Sequence, residues 1–225
     1  MKTIKVRTVI FDMDGVITDT MPYHFRAWRR IYAAQGFKVS REEIYRREGQ
    51  PGYRTIKEIL GERGIPFDEA KARRILFEKE KLFKKIVHKR FIRGVKGFLR
   101  HLRRRGVAAA LVTGTARHEA EEILPKNFLK RFAVSVTGDE VRHGKPHPEP
   151  YLRALKKLNI RPQDAIVIEN APFGIRSAKK ARLKCIALET SLRRPYLKGA
   201  DFIFSSYRDL RNHLDFEADR KDRTR

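Results

Sequence analysis

The sequence predicts an α/β fold: a doubly wound parallel sheet with an all-helical domain inserted after its first strand. Three features carry that prediction. Six short runs rich in β-branched and aromatic residues, at 8–11, 107–112, 133–136, 165–168, 185–188 and 202–204, have the length and composition of strands. Amphipathic stretches at 95–105, 116–124, 148–158 and 173–182 alternate with the later runs, which is the βαβ rhythm of a parallel sheet covered by helices. Between the first run and the second, residues 17–90 show helical periodicity and no convincing strand.

The first run, Thr8-Val9-Ile10-Phe11, is β-rich and stops at Asp12. Four helices are expected next, over 22–34, 41–47, 54–60 and 68–87, with Gly36 as the stop of the first and Asp68 as the N-cap of the last. The predicted domains are a sheet domain of 1–16 and 91–225 and a helical cap of 17–90. Sheets of this kind bind ligands at the carboxyl ends of their strands. Cys185 lies in the apolar run Cys185-Ile186-Ala187-Leu188 and reads as a small buried hydrophobe, and as the one cysteine it forms no internal disulfide. From Asp215 the tail is nearly all charged and is expected to fray.

A chain of 225 residues can bury a sizeable core without staples. Its residues are 41% hydrophobic and 35% charged, so the excess charge belongs on the surface. The apolar stretch near the N-terminus is cut by Asp12, too short for a signal peptide or a membrane helix, and a cytoplasmic protein without membrane contact is expected. The formal net charge of +25 fits a nucleic-acid surface, an attraction for anionic small molecules, or a thermophilic, salty cytoplasm.

Asp12-Met13-Asp14-Gly15 carries the sharpest chemical signal. Two carboxylates two residues apart lie on one side of an extended chain and can face one ligand. One can attack phosphorus while the other delivers a proton to the leaving oxygen. Alone, the motif is as readily a strand cap followed by a turn. Thr113, in Val112-Thr113-Gly114, offers a hydroxyl to a phosphoryl oxygen and is equally a helix N-cap. Lys145, in Gly144-Lys145-Pro146-His147-Pro148, places an ammonium where it can neutralise charge shared between nucleophile and phosphate. Glu169 and Asn170 end another strand with hard oxygen donors suited to Mg²⁺.

Taken together, each at a strand end and in this order, the four motifs resemble the signature of the haloacid-dehalogenase-like (HAD) superfamily, over nearly the whole chain. The helical insertion looks like the cap of the branch that contains β-phosphoglucomutase and phosphoglycolate phosphatase. The resemblance implies a Rossmann-like core and Mg²⁺-dependent phosphoryl transfer through an aspartyl-phosphate. It makes Asp12 the nucleophile and a metal ligand, Asp14 the acid/base whose backbone carbonyl also binds metal, and Lys145 the charge stabiliser. Thr113, with Gly114 beside it, holds phosphate, and Glu169 and Asn170 complete the metal site. Asn170 departs from the acidic pair usual in the mutases and in many phosphatases, which removes one negative charge. His24, in Asp19-Thr20-Met21-Pro22-Tyr23-His24, looks like the histidine that joins cap closure to acid/base action. Arg47 and Arg54 flank a Gly/Pro loop similar to the family's specificity loop and could grip a second anionic group, although solvated arginines are equally expected in so basic a chain.

The expected function is hydrolysis of a small phosphorylated metabolite, a sugar phosphate, by a monomer or weak dimer. A β-phosphoglucomutase-type sugar phosphomutase is the alternative. Nucleic-acid association ranks third, because the Lys and Arg residues are spread without an aromatic-interleaved module. A dehalogenase ranks lower still, since it would leave Asp14 idle.

Overall fold

The computed structural model describes residues 2–219. Its strands are β1 (Lys2–Lys5), β2 (Thr8–Phe11), β3 (Ala108–Val112), β4 (Val134–Val136), β5 (Ala165–Glu169), β6 (Lys184–Leu188), β7 (Phe202–Phe204) and β8 (Leu214–Glu217). Six of them form one all-parallel sheet in the order β4-β3-β2-β5-β6-β7. All four residues of β2 are buried, as its central place requires. Phe11 pairs with Leu111 on one side and Ile168 on the other, so β2, β3 and β5 finish at one level. The winding reverses between β2 and β5, which opens a crevice at their carboxyl ends.

Helices α1 (Met21–Ala33), α2 (Arg41–Tyr45), α3 (Gly52–Gly61) and α4 (Glu69–Ile86) lie between β2 and β3, followed by α5 (Val95–Arg104). The rest are α6 (Arg117–Ile123), α7 (Lys126–Leu129), α8 (Glu149–Leu158), α9 (Pro172–Lys180) and α10 (Tyr207–His213). Side chains alternate across the sheet. Val9, Phe11, Leu111 and Ile168 pack with Phe98 of α5, Ile123 of α6 and Leu210 of α10. Ile10, Val112, Val167 and Cys185 pack on the other face with Tyr151 of α8 and Ala178 of α9.

The insertion is built by local signals. Pro22 sits in the first turn of α1, and the chain reverses after it at Gly36 (φ 89°). Ser40 and Glu43 form a capping box at α2, and the Asp68 side chain accepts from Lys71 N (2.6 Å) at α4. Helix α1 packs on α2 and α4, and α3 on α4. The two linkers run side by side, with Ile92 N donating to Ile17 O (2.9 Å) and Asp19 N to Arg90 O (2.8 Å).

The frayed tail is corrected. Asp215–Glu217 belong to β8, which pairs in parallel with β1, because Leu214 and Phe216 are buried and Asp215 is held by His101 and Arg105. Residues 220–225 of that expectation lie outside the described residues. Strands β1 and β8 and helices α7 and α10 had not been expected. Helix α2 stops at Tyr45 rather than 47 because the chain turns there, and α3 starts at Gly52 rather than 54. Among the described residues no helix is long and apolar enough to cross a membrane.

Candidate active site

The ends of β2, β3 and β5 converge on one buried cluster. Asp12 follows β2, and its N–H donates to Ile168 O (3.0 Å), continuing the ladder one residue past the strand. The Lys145 side chain, 1% exposed for the whole residue, reaches in from the loop before α8. Its Nζ donates to Asp12 Oδ1 (2.5 Å), Glu169 Oε1 (2.6 Å) and Val112 O (3.4 Å). Tyr151 Oη also donates to Glu169 Oε1 (2.7 Å), and Asn170 N donates to Glu169 Oε2 (3.0 Å).

The charges do not balance. Burial pushes the Asp12 carboxyl well above the usual carboxylate range; Lys145 draws it down, and the charges of Glu169 and Asp14 push it further up. Burial alone would lower Lys145, but Asp12 and Glu169 outweigh it and hold the ammonium above the usual lysine value. Two carboxylates therefore share one ammonium, with the charge of a third, Asp14, close enough to act on Asp12, an excess that one divalent cation would neutralise. Asp12 Oδ2 and Asn170 Oδ1 are both buried and without a hydrogen-bond partner. Open, hard oxygen donors beside surplus negative charge fit Mg²⁺. Glu169, by contrast, has both oxygens engaged, so the donor set with open oxygens is Asp12 with Asn170 rather than the whole predicted set.

Gly15 explains how the chain turns away after Asp14. Its φ is 83°, and a Cβ there would lie 2.1 Å from Asn170 Nδ2. Asp14 points toward the insertion. It accepts from Thr20 Oγ1, from Thr115 Oγ1 (3.1 Å) and at 3.3 Å from His24 Nε2. Burial raises its pKa, but the hydrogen bonds and charge of His24, with Thr20 and Thr115, more than offset this and hold it below the usual value. The His24 ring stacks on Phe83 of α4 (centroids 4.0 Å apart, 16°), so both ends of the insertion fix it.

Thr113 Oγ1 accepts from Thr115 N (3.1 Å), leaving its own proton to donate. Its turn precedes Ala116, the actual N-cap of α6. Gly114 lies under the insertion: a Cβ there would come within 3.1 Å of Gly49 O. A Cβ on Gly49 would lie 2.7 Å from Lys145 Cδ, so the loop before α3 is seated on the core. Arg47 borders the enclosed space, but its guanidinium binds Glu43 O (3.0 Å), Glu62 and, at 3.5 Å, Glu58. Arg54 is not brought to the site. It is exposed on α3, paired with Glu58 at 3.1 Å, and does not border that space. Thr20, Glu48, Thr115 and Tyr151 were not singled out from the sequence. Thr115 stands two residues beyond Thr113, the same spacing that marks the two aspartates, whereas Tyr151 is indistinguishable from any aromatic on a buried helix face.

A parallel sheet whose strand ends gather a buried carboxylate, a lysine and oxygen donors beneath a helical insertion defines a class, the capped phosphohydrolases. The comparisons agree. A family model described as haloacid dehalogenase-like hydrolase matches residues 9–188. The chain is 35% identical over 189 residues to the phosphorylated carbohydrates phosphatase of Thermotoga maritima, covering 80% of this chain and 84% of that one. It is 28% identical over 212 residues to the beta-phosphoglucomutase of Bacillus subtilis, covering 91% and 92%. Among solved structures, beta-phosphoglucomutase from Clostridium difficile superposes with a TM-score of 0.78 at 27% identity, covering 91% of this chain and 93% of that one. The chain belongs to the haloacid dehalogenase-like hydrolases.

Proposed function

We propose that the protein is a Mg²⁺-dependent phosphatase that hydrolyses a small phosphorylated carbohydrate through an aspartyl-phosphate on Asp12, with the insertion acting as a cap. The observation that carries this reading is the buried Asp12–Lys145–Glu169 cluster with open oxygens on Asp12 and Asn170. Mg²⁺, held by Asp12 and Asn170 with the Asp14 carbonyl, would supply charge neutralisation between carboxylate and phosphate. A carboxylate oxygen of Asp12 attacks phosphorus as the bond to the leaving oxygen breaks, and that oxygen takes a proton from Asp14. Water then attacks the aspartyl-phosphate, returning a proton to Asp14 and freeing Asp12 and inorganic phosphate. Lys145 stabilises the charge, and Thr113 and the loop at Gly114 hold the phosphoryl oxygens. His24 ties cap position to the proton donor.

A β-phosphoglucomutase-type phosphomutase is the second reading, favoured by the His24–Asp14 contact and by the mutases among the relatives. It requires a place for a second phosphate. Arg47, the arginine closest to that task, is already occupied by cap carboxylates, which favours hydrolysis. Incubation with β-glucose 1-phosphate, Mg²⁺ and a trace of glucose 1,6-bisphosphate should release inorganic phosphate faster than it forms glucose 6-phosphate. Accumulation of glucose 6-phosphate many times faster than phosphate gives the mutase reading instead. EDTA should abolish turnover; full activity after exhaustive chelation removes Mg²⁺ from the mechanism.

A further inference from the structure

Between the insertion and the turn after β3 lies a cavity of about 100 Å³, bordered among others by His24, Glu48, Gln50, Lys79, Glu80 and Glu119. Its charge is opposite to that of the molecule. In a chain of formal charge +25, three carboxylates border this small space. Of the two cations that border it, Arg47 is committed to Glu58, Glu62 and a backbone carbonyl. Lys79 makes no ion pair with a carboxylate among the described residues; it lies over the rings of Phe83 (5.1 Å) and Trp28 (5.5 Å).

Of these acids, Glu48 lies on the loop that seats on the core. It precedes Gly49, whose carbonyl seats on Gly114. It borders the same small space as His24, whose ring nitrogen lies 3.3 Å from Asp14 Oδ1. A second phosphate brought here would meet like charge in a small space. Such repulsion is an effective way to reject one ligand in favour of another. Hydroxyl groups, in contrast, would find acceptors on the three carboxylates and a donor on Lys79.

Resting on the phosphatase reading above, we propose that Glu48 determines specificity, and that the accepted substrate is a phosphate monoester of a polyhydroxy alcohol bearing no second anionic group. An amino group on the leaving alcohol is tolerated.

The test uses the full chain with Mg²⁺ near neutral pH. kcat/KM is measured for fructose 1-phosphate, fructose 1,6-bisphosphate and glucosamine 6-phosphate, with p-nitrophenyl phosphate as a probe of phosphoryl transfer itself. The wild type should prefer the monophosphate over the bisphosphate by at least about tenfold. Glu48→Gln, which keeps the shape and removes the charge, should narrow that ratio by at least about fivefold, chiefly through KM for the bisphosphate. The wild-type ratio needs no variant, so a missing preference overturns the assignment even if Glu48→Gln fails to fold. Equal use of the two fructose phosphates, rejection of the amino sugar beside a good neutral one, or a ratio unchanged in Glu48→Gln overturns the assignment while p-nitrophenyl phosphate turnover keeps the phosphatase reading intact. Loss of turnover on every monoester, p-nitrophenyl phosphate included, overturns both.

Discussion

A methyl group added to Gly174 would sit 1.8 Å from Glu169 Oε1, closer than any real contact. Glu169 would have to move, and it holds both Lys145 and Tyr151. Gly174→Ala is therefore expected to lower kcat by about a hundredfold, because small displacements of a preorganised cluster are costly to catalysis. A variant with wild-type kcat would show that the cluster tolerates the shift. Asp12→Asn keeps the shape without the nucleophilic charge and should abolish turnover with the fold retained, as read by circular dichroism. Asp14→Asn should be nearly as damaging on alkyl phosphates but milder on p-nitrophenyl phosphate, whose leaving group hardly needs a proton; equal losses on both argue against an acid role. At this scale the sequence was readable where chemistry dictates residue type. Asp12, Asp14, Thr113, Glu169 and Asn170 end or follow β2, β3 and β5, whereas Lys145 reaches Asp12 and Glu169 from the loop before α8. The residues that orient them were not, since Thr20, Thr115 and Tyr151 act through single hydroxyl groups whose direction only the packed structure sets.

The turn Gly138–Glu140 links two helices through one side chain. Glu140 pairs with Arg117 at the start of α6 and with Lys157 on α8, and its Oε1 also accepts from Thr137 N (3.3 Å). Burial raises its pKa, but Lys157 and Arg117 outweigh it, and the carboxyl is held down at about 2 against an ordinary 4.5. A group depressed in this way contributes stability in full above its unfolded pKa, and loses it as pH falls through the folded value. Glu140→Gln should therefore cost about 2 kcal/mol near neutral pH, allowing for the partial exposure of the site. In denaturant titrations the gap between variant and wild type should hold down to about pH 4.5 and close toward pH 2. A gap undiminished at pH 2 means that shape, not charge, is its source. Elements differ in how plainly the sequence declares them. The buried strands β2, β3, β5 and β6 were legible because a strand covered on both faces must be continuously apolar. Strand β1, Lys-Thr-Ile-Lys, is largely exposed and pairs only with β8 at the other end of the chain, a partnership no local pattern announces.

Over the whole molecule, 52 basic residues face 27 acidic ones. Even with every acid paired, the surplus cations repel one another, and this opposes the compact state at low ionic strength. Raising salt from about 10 mM to about 150 mM shortens the Debye length from about 30 Å to about 8 Å and should raise Tm. A Tm that falls over this range would mean that attraction within the ion-pair networks outweighs the repulsion. The adjacent linkers at Ile17–Asp19 and Arg90–Ile92 act at the same scale. The chain leaves the sheet domain and re-enters it one hydrogen bond apart, so the helices between are joined to it as a bud is to a stem. Their replacement by a different helical segment asks nothing of the sheet's register. Within such a lineage, new substrates can be explored by exchanging the bud while the inherited chemistry stays in place.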